Sequence, residues 1–189
     1  MIAIMSALNE RLLALADAQL ELQAGRTLFR TGDAVRKLYI VLAGEVHLVR
    51  RRPNGTAIVL QRAQAKQLLA EASLFAPRYH CDALSEHGAL LARIDKESVL
   101  QAQRDDPRWL LDVATHLAAE VQRARARAEL LALRTVRDRL DGWLALHGEL
   151  PARGGWIAVA REIGVTPEAL YRELARHPVA GNGPLPLAR

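Results

Sequence analysis

A glutamate and an arginine spaced for one face of a helix are the most specific chemical feature of this sequence. Glu168 and Arg172 are four residues apart, so both side chains project from the same face of an α-helix. Arginine can bind guanine through two hydrogen bonds in the DNA major groove, and glutamate can accept one from the cytosine amino group. The residues that we predict to contact DNA are Thr166, Pro167, Glu168, Tyr171 and Arg172.

The residues before this pair have the pattern of a helix-turn-helix. Ala160 is small enough for a second helix to cross close to it, and Gly164 suits the turn. Thr166 can cap the next helix through its hydroxyl, and Pro167 is accepted at a first helical position. The same spacing also suits a plain helical hairpin with a solvated charged face, so both interpretations remain open on the pattern alone.

A histidine and a cysteine form a second group with possible chemistry. His80 and Cys81 are residue types that ligate metals and haem. Adjacent residues of a strand point to opposite faces, so the two are not expected to share one metal. We therefore expect no metal and no cofactor, with haem bound through His80 or Cys81 as the alternative. Cys81 is the single cysteine, which excludes an intramolecular disulfide and a multi-thiolate zinc site.

Several classes of protein are disfavoured by what the sequence lacks. It contains no nucleophile elbow, P-loop, His-Glu-x-x-His or dinucleotide fingerprint, so an enzyme is not expected. No apolar run is long enough to span a membrane, and Glu10 and Asp17 interrupt the N-terminal stretch, which does not resemble a signal peptide. We therefore expect a cytoplasmic protein without a membrane partner. The net charge of +5 suits nucleic acid without requiring it.

Changes in hydrophobic period divide the chain into four parts. Residues 1–20 have helical spacing and are predicted to form an N-terminal helical segment. Residues 21–104 carry short apolar runs, such as 38–42 and 45–49, between turn signals such as Ala43-Gly44 and Pro53-Asn54-Gly55, which favours an antiparallel sensor domain of barrel or sandwich type. Residues 105–133 are predicted to form a long helix, and residues 134–189 the helix-turn-helix with an irregular tail. The predicted fold class is α+β.

The long helix carries a seam of apolar residues at spacings of three and four. Such a seam more often packs against a partner helix, so we predict that it mediates dimerisation. The alternative is a long helix packed on its own domain. The predicted seam consists of Leu110, Val113, Leu117, Val121, Ala124, Ala128 and Leu131.

The order of these parts resembles the CRP/FNR family of bacterial transcription regulators over about residues 10–177. The sequence at 28–33, Leu-Phe-Arg-Thr-Gly-Asp, and the strands at 38–46 are similar to the opening of a cyclic-nucleotide-binding domain. Residues 71–75 resemble the start of its phosphate-binding cassette, and residues 164–174 resemble the recognition helix of the family. The resemblance implies an antiparallel β-roll of jelly-roll type, a dimerisation helix and a winged helix-turn-helix.

The resemblance also implies a function and partners. It implies a homodimeric, sequence-specific regulator that binds palindromic double-stranded DNA, with Glu168 and Arg172 contacting bases. RNA polymerase is a further candidate partner, and a small-molecule effector would be unidentified. Arg134, Arg137 and Arg161 are candidates for contacts to the DNA backbone. The alternative is a ligand-binding or protein-docking module whose helical end does not bind DNA.

The sequence departs from the family at the phosphate-binding cassette. The family has a glycine before Glu71, where this chain has Ala70, and Cys81 and Asp82 replace an arginine and a small hydroxyl residue. An aspartate there would repel a phosphate, so cyclic AMP is not the expected effector. Few residues follow position 177, which predicts a short or missing wing. The predicted effector-pocket residues are Glu71, Ser73, Arg78, which could substitute for the lost arginine, Cys81 and Asp82.

Overall fold

The computed structural model describes residues 7–52, 54 and 57–176, which fall into two compact units divided after Ala118. The first unit contains seven strands, which are β1 Ala16–Leu22, β2 Thr27–Phe29, β3 Lys37–Arg51, β4 Ala57–Gln64, β5 Leu68–Leu69, β6 Asp82–Leu84 and β7 Ala89–Asp95. The helices are α1 Ala7–Ala14, α2 Lys96–Asp105, α3 Arg108–Ala132, α4 Val136–His147, α5 Trp156–Glu162 and α6 Pro167–Arg176. Helix α3 runs through the division between the units.

The strands form two antiparallel sheets that share β3. The first half of β3 pairs with β7 and β5, and β1 pairs with β7. The second half of β3 pairs with β4 and β6, and β2 pairs with β6. The predicted antiparallel β-roll and the α+β fold class are therefore confirmed.

Strand β3 is longer than the sequence suggested. The run at 38–42 and the run at 45–49 were separated by a turn signal at Ala43-Gly44, but the structure has one continuous strand of 15 residues. A register shift against β7 lies between Val41 and Ala43, and Gly44 has a φ of 80°. A Cβ atom on Gly44 would lie 2.4 Å from the carbonyl oxygen of Gly88. Gly44 therefore bends a strand beside a close backbone neighbour, and it does not reverse the chain.

Side chains from both sheets fill the interior of the roll. The rings of Phe29 and Tyr79 stack with centroids 3.7 Å apart, and the Tyr79 hydroxyl donates a hydrogen bond of 2.5 Å to the carbonyl of Lys37. Such a buried aromatic pair contributes packing area, and the hydroxyl has the partner that burial requires. Other members of this core are Leu22, Tyr39, Val41, Val46, Leu48, Ala63, Leu69, Cys81, Ala83 and Leu91.

A second core covers the opposite face of the sheet made by β1, β7 and β3. Ile40 and Ile94 alternate with the interior residues along their strands, so they point outward against the helices. Leu8 and Leu12 of α1 and Val99 of α2 complete this layer. The first part of α3 packs on the same core through Trp109 and Val113.

The first 20 residues are not one helical segment, and the domain predicted as a roll ends in a helix. Helix α1 ends at Ala14 and β1 already begins at Ala16, because residues 16–22 alternate polar and apolar side chains with the period of a strand. Helix α2, which lies mostly within the predicted sensor domain 21–104, is capped by Asp95, whose carboxylate accepts a hydrogen bond of 2.9 Å from the Glu97 N–H.

Two predicted features lie wholly or mostly outside the described residues. The proposed turn at Pro53-Asn54-Gly55 is one of them, although β3 and β4 pair up to Arg51 and Ala57 on either side. The irregular tail and the short wing fall on residues 177–189 and are the other. Both therefore stay predictions.

The predicted dimer seam on α3 is only partly exposed. Val113 is buried and Leu117 half-buried, and both pack on the core of their own unit. A helix that packs on its own roll and a helix that packs on a partner helix have the same spacing of apolar residues. The sequence therefore did not distinguish the two kinds of packing. The exposed seam residues are Leu110, Val121, Ala124, Ala128 and Leu131.

The second unit has its own core, built on α4. Thr135 caps this helix, since its hydroxyl accepts a hydrogen bond of 3.0 Å from the Asp138 N–H, and Gly148 ends it. The buried residues of this core are Leu130, Leu140, Trp143, Trp156, Val159, Ala160, Ile163, Leu170 and Leu174. Among the described residues, no helix combines the length and apolar character needed to cross a membrane.

Candidate functional site

Helix α6 begins where the sequence predicted and turns its charged face outward. The Thr166 hydroxyl accepts a hydrogen bond of 3.2 Å from the Ala169 N–H, so Thr166 is the N-cap, and Pro167 is the first helical residue. Leu170 is fully buried and holds the helix to its unit. Glu168 and Arg172 are exposed. The two side chains predicted to read bases are therefore accessible to a partner.

The turn between α5 and α6 is as tight as the pattern predicted. Gly164 has a φ of 67°, a conformation that favours glycine, and the Val165 N–H donates a hydrogen bond of 2.9 Å to the Ala160 carbonyl. Ala160 has no exposed surface. These contacts close a compact turn of four residues, and they fix the direction in which α6 leaves α5.

The carboxyl group of Glu168 is held in its charged form. Its own backbone N–H, in the first turn of α6, contributes most to lowering the pKa of Glu168 below the usual value. The Thr166 hydroxyl and the charge of Arg172 act in the same direction. Glu168 is therefore an acceptor that presents no proton of its own, as recognition of an amino group requires.

Tyr171 and Pro167 are less accessible than the two charged residues. Both are half-buried, and the Tyr171 ring packs against Trp156 with centroids 5.4 Å apart at an angle of 45°. Tyr171 therefore lies at the side of the outward face of α6. The five residues predicted to contact DNA share one helix terminus, but they differ in how far they reach into solvent.

An arginine that the sequence analysis did not single out holds the turn in place. The Arg139 guanidinium donates hydrogen bonds of 3.2 and 3.3 Å to the carbonyls of Ile163 and Gly164. It also donates to the carbonyls of Leu131 and Leu133, at 3.2 and 2.9 Å. One side chain thus connects the end of α3 with the turn before α6. Its partners lie as far as 25 residues away, so no local pattern marks it.

The arginines predicted to contact the DNA backbone have different environments. Arg134 and Arg161 are exposed, and Arg137 forms an ion pair of 2.7 Å with Asp141 one turn along α4. Exposed arginines are free to approach a phosphate, whereas Arg137 would have to exchange its carboxylate partner for one. The structure therefore favours Arg134 and Arg161 over Arg137 for this role.

In the segment that resembles the phosphate-binding cassette, Ala70 has a backbone conformation that favours glycine. Its φ of 60° and ψ of 36° are left-handed, a conformation that costs an alanine about 1–2 kcal/mol. Glu71 follows it at the start of a short 3₁₀ turn, Glu71–Ser73. Buried Ser73 lies 3.3 Å from the Nδ1 atom of His80.

Asp82 is turned away from the interior of the roll. Its carboxylate accepts hydrogen bonds of 2.8 and 2.9 Å from the N–H and hydroxyl of Thr31 and pairs with Arg51 at 3.2 Å. The Thr31 N–H contributes most to holding the pKa of Asp82 below its usual value. The neighbouring residues Cys81 and Ala83 point inward and are fully buried. The predicted repulsion between Asp82 and a phosphate in the interior is therefore weaker than its position in the sequence suggested.

Arg78 does not take the place of the missing cassette arginine. Its guanidinium is exposed and donates a hydrogen bond of 2.7 Å to the Gly32 carbonyl. Glu71 lines a narrow apolar cavity together with Leu74, Val99 and His116, and the other four predicted pocket residues do not line it. Position 81 holds a buried thiol, which belongs to the same core as the stacked rings of Phe29 and Tyr79.

An open cleft of about 550 Å³ lies elsewhere on the roll. It is lined by residues 21–24, 43–44 and 87–90, and none of the five predicted pocket residues contributes to it. Among the described residues, no cluster of three or more histidine, cysteine, aspartate or glutamate side chains is arranged to hold a metal. His80 is exposed and Cys81 is fully buried, but both residues precede β6, so the alternation of side chains along a strand does not explain this difference.

The single cysteine should react slowly with thiol reagents while the protein is folded. Burial raises the pKa of the Cys81 thiol and removes the sulfur from solvent. The thiolate is therefore rarely populated, and a reagent cannot reach it. With a disulfide reagent near pH 8, we expect labelling at least about a hundredfold slower than in urea-unfolded protein, because attack must wait for opening of the roll. Labelling at the unfolded rate would show that Cys81 does not lie in the core.

Comparisons with known proteins relate the first unit to a domain family. Residues 19–106 match the family model of the cyclic nucleotide-binding domain. FixK2 from Bradyrhizobium japonicum is 16% identical with a TM-score of 0.65, over 84% of this chain and 83% of that one. The c-di-GMP responsive global regulator CLP from Xanthomonas campestris is 23% identical with a TM-score of 0.58, over 89% of each chain.

The sensor domain of the transcriptional regulator DNR from Pseudomonas aeruginosa is 25% identical with a TM-score of 0.50, over 66% of this chain and 81% of that one. A comparison with curated proteins found no match. The likeness to FixK2 and CLP extends over both units at low identity, so it shows a shared fold.

Proposed function

Because residues 19–106 match the family model of the cyclic nucleotide-binding domain and the chain shares its fold with FixK2 and the regulator CLP, we propose that it is a sequence-specific DNA-binding regulator of the CRP/FNR type. The observation that carries the proposal is the exposed pair Glu168 and Arg172 on a capped helix that follows a tight turn. A helix presented in this way can enter the major groove, where both side chains have base partners.

The regulator would act as a homodimer on palindromic DNA. Leu110 and Val121 of α3 are 52% and 47% exposed, and large apolar side chains on a helix favour a partner helix that covers them. Two copies related by a two-fold axis would read two half-sites about one helical turn apart, ~34–36 Å. This geometry accounts for the exposed residues of α3 and for the outward face of α6 in the same assembly.

The effector would differ from cyclic AMP. Cys81 occupies the position of the cassette arginine, and the packed rings of Phe29 and Tyr79 lie in the same core. A phosphate beside Cys81 would meet a buried thiol where the family has an arginine, and burial of a charge without a close partner is costly. Any effector or protein partner would regulate the dimer only by binding one arrangement of its recognition helices more tightly than another.

The test is selection from a randomised DNA library with the purified full-length chain, beside Arg172→Ala. We expect the wild type to enrich a palindrome and Arg172→Ala to lose preference at one base pair of each half-site, by ~1–3 kcal/mol. Arg176→Ala is the matched control, because Arg176 is an exposed arginine one turn further along the same helix. It should leave the base preference unchanged.

The selection also separates the proposal from its alternative. If the protein is a docking module, no sequence will be enriched at low or high salt, and the Arg172→Ala variant will behave as the wild type. Equal loss of preference in Arg172→Ala and Arg176→Ala would contradict base reading by Arg172, because it would mean that any lost charge has the same effect.

A further inference from the structure

An arginine outside the recognition helix is held against two aromatic rings. Arg153 begins a 3₁₀ turn, Arg153–Gly155, that leads into α5. Its Cζ atom lies 5.9 Å from the centroid of the Trp156 ring and 6.0 Å from that of the Tyr171 ring. Trp156 is buried and donates a hydrogen bond of 3.0 Å from its indole nitrogen to the Pro151 carbonyl, so this ring is fixed.

The guanidinium of Arg153 has N–H groups that can donate hydrogen bonds to a ligand. Within the described residues it makes no hydrogen bond and no ion pair, and the side chain is exposed. Two other arginines of the same unit already have partners. Arg137 pairs with the Asp141 carboxylate, and Arg139 donates hydrogen bonds to backbone carbonyls. Contact with the rings restricts the long side chain before any ligand arrives, so binding an anion loses less side-chain entropy.

The position of Tyr171 on α6 places Arg153 beside the face that would read bases. At 100° per residue, Tyr171 lies between buried Leu174 and exposed Glu168 around the helix axis. Its ring therefore marks one margin of the outward face. A helix in the major groove has a phosphate backbone along each margin, and arginine forms two parallel hydrogen bonds to a phosphate.

We propose that Arg153 binds a backbone phosphate of the DNA at this margin and thereby offsets the repulsion between Glu168 and the duplex. The inference rests on the proposed DNA-binding function and deepens it. In this proposal Arg153 contributes to the affinity for DNA of any sequence, and Glu168 and Arg172 determine the base preference. Tyr171 and Trp156 act as positioning residues for the guanidinium.

The test uses the full-length chain, the DNA that the library selects and a scrambled duplex, each titrated over a range of salt concentrations. A phosphate contact contributes about 0.9 to the slope of log affinity against log salt. Arg153→Gln should therefore lower the slope by about 0.9 for each half-site, and it should weaken binding to both duplexes by the same factor. Arg36→Gln removes one exposed charge from the other unit and is the matched control.

A second variant, Arg153→Lys, distinguishes the loss of a phosphate contact from a change in folding. It keeps the charge, so we expect the salt slope to stay at the wild-type value while affinity falls, since lysine cannot form the paired hydrogen bonds. An unchanged slope and affinity in Arg153→Gln, with sequence selection intact, would overturn the role of Arg153 and leave DNA binding standing. A changed base preference at unchanged slope would also overturn it. Failure of the wild type to select any sequence would refute the proposed function itself.

Discussion

Replacing Gly44 by alanine should destabilise the β-roll by roughly 2–6 kcal/mol, a large part of the stability of an ordinary domain. The left-handed backbone of Gly44 contributes about 1–3 kcal/mol of this loss, and forced contact in a packed structure contributes about 1–3 kcal/mol more. The new Cβ atom would lie 2.4 Å from the Gly88 carbonyl oxygen and 2.9 Å from the Ala89 Cα atom. Both neighbours are backbone atoms of a paired strand region, so neither can move aside as a side chain would.

Gly25→Ala separates the two contributions. Gly25 has a φ of 73°, close to that of Gly44, but no atom lies within 4 Å of its Cβ position. It should therefore show the backbone cost alone, about 1–3 kcal/mol. The measurement is urea unfolding of both variants, followed by hydrogen exchange in β3. Equal losses in the two variants would mean that the approach to Gly88 is not tight.

Arg139→Met should destabilise the second unit by about 2–4 kcal/mol. Methionine keeps much of the side-chain volume but removes the donors to four carbonyls, and a hydrogen bond from a charged group contributes about 1.5–3 kcal/mol. Water can donate hydrogen bonds to some of the freed carbonyls, so the loss of stability is smaller than the sum of four hydrogen-bond energies. We also expect weaker DNA binding, because the turn before α6 would lose its connection to the end of α3.

Arg137→Met is the control for this prediction, since it lies on the same helix and changes the same atoms. Its single exposed ion pair with Asp141 should be worth about 0.3–0.5 kcal/mol. Urea unfolding can be followed by tryptophan fluorescence, because Trp143 and Trp156 are buried in this unit. If the two methionine variants lose the same stability, the carbonyl contacts of Arg139 do not hold the unit together.

The features that sequence reasoning predicted correctly depend on neighbours along the chain. Thr166, Pro167 and Gly164 each meet a backbone requirement set within four residues, so their identities were sufficient. The exposed pair Glu168 and Arg172 likewise follows from the period of one helix. The antiparallel character of the roll could be predicted because short apolar runs alternate with turn residues.

The features that it missed depend on residues far apart in sequence. A positive φ suits a reversing turn and a bend within a strand equally well, and only the pairing of β3 with β7 shows which one Gly44 makes. Val113 and Leu117 fit a seam for a partner helix, but their own roll covers them. Arg139 and Asp82 find partners 25 and 51 residues away, which no local spacing reveals.

Because one strand belongs to both sheets, the roll has no separable halves. Strand β3 pairs with four other strands, and its first residue, Lys37, pairs with Asp95, 58 positions along the chain. The sheet that β3 forms with β1, β5 and β7 cannot be completed before that long loop has closed, and the entropy of closure is lost before most of its pairing is gained. The roll therefore folds slowly for its size and opens as one cooperative unit, with the amides of β3 among the last to exchange with solvent.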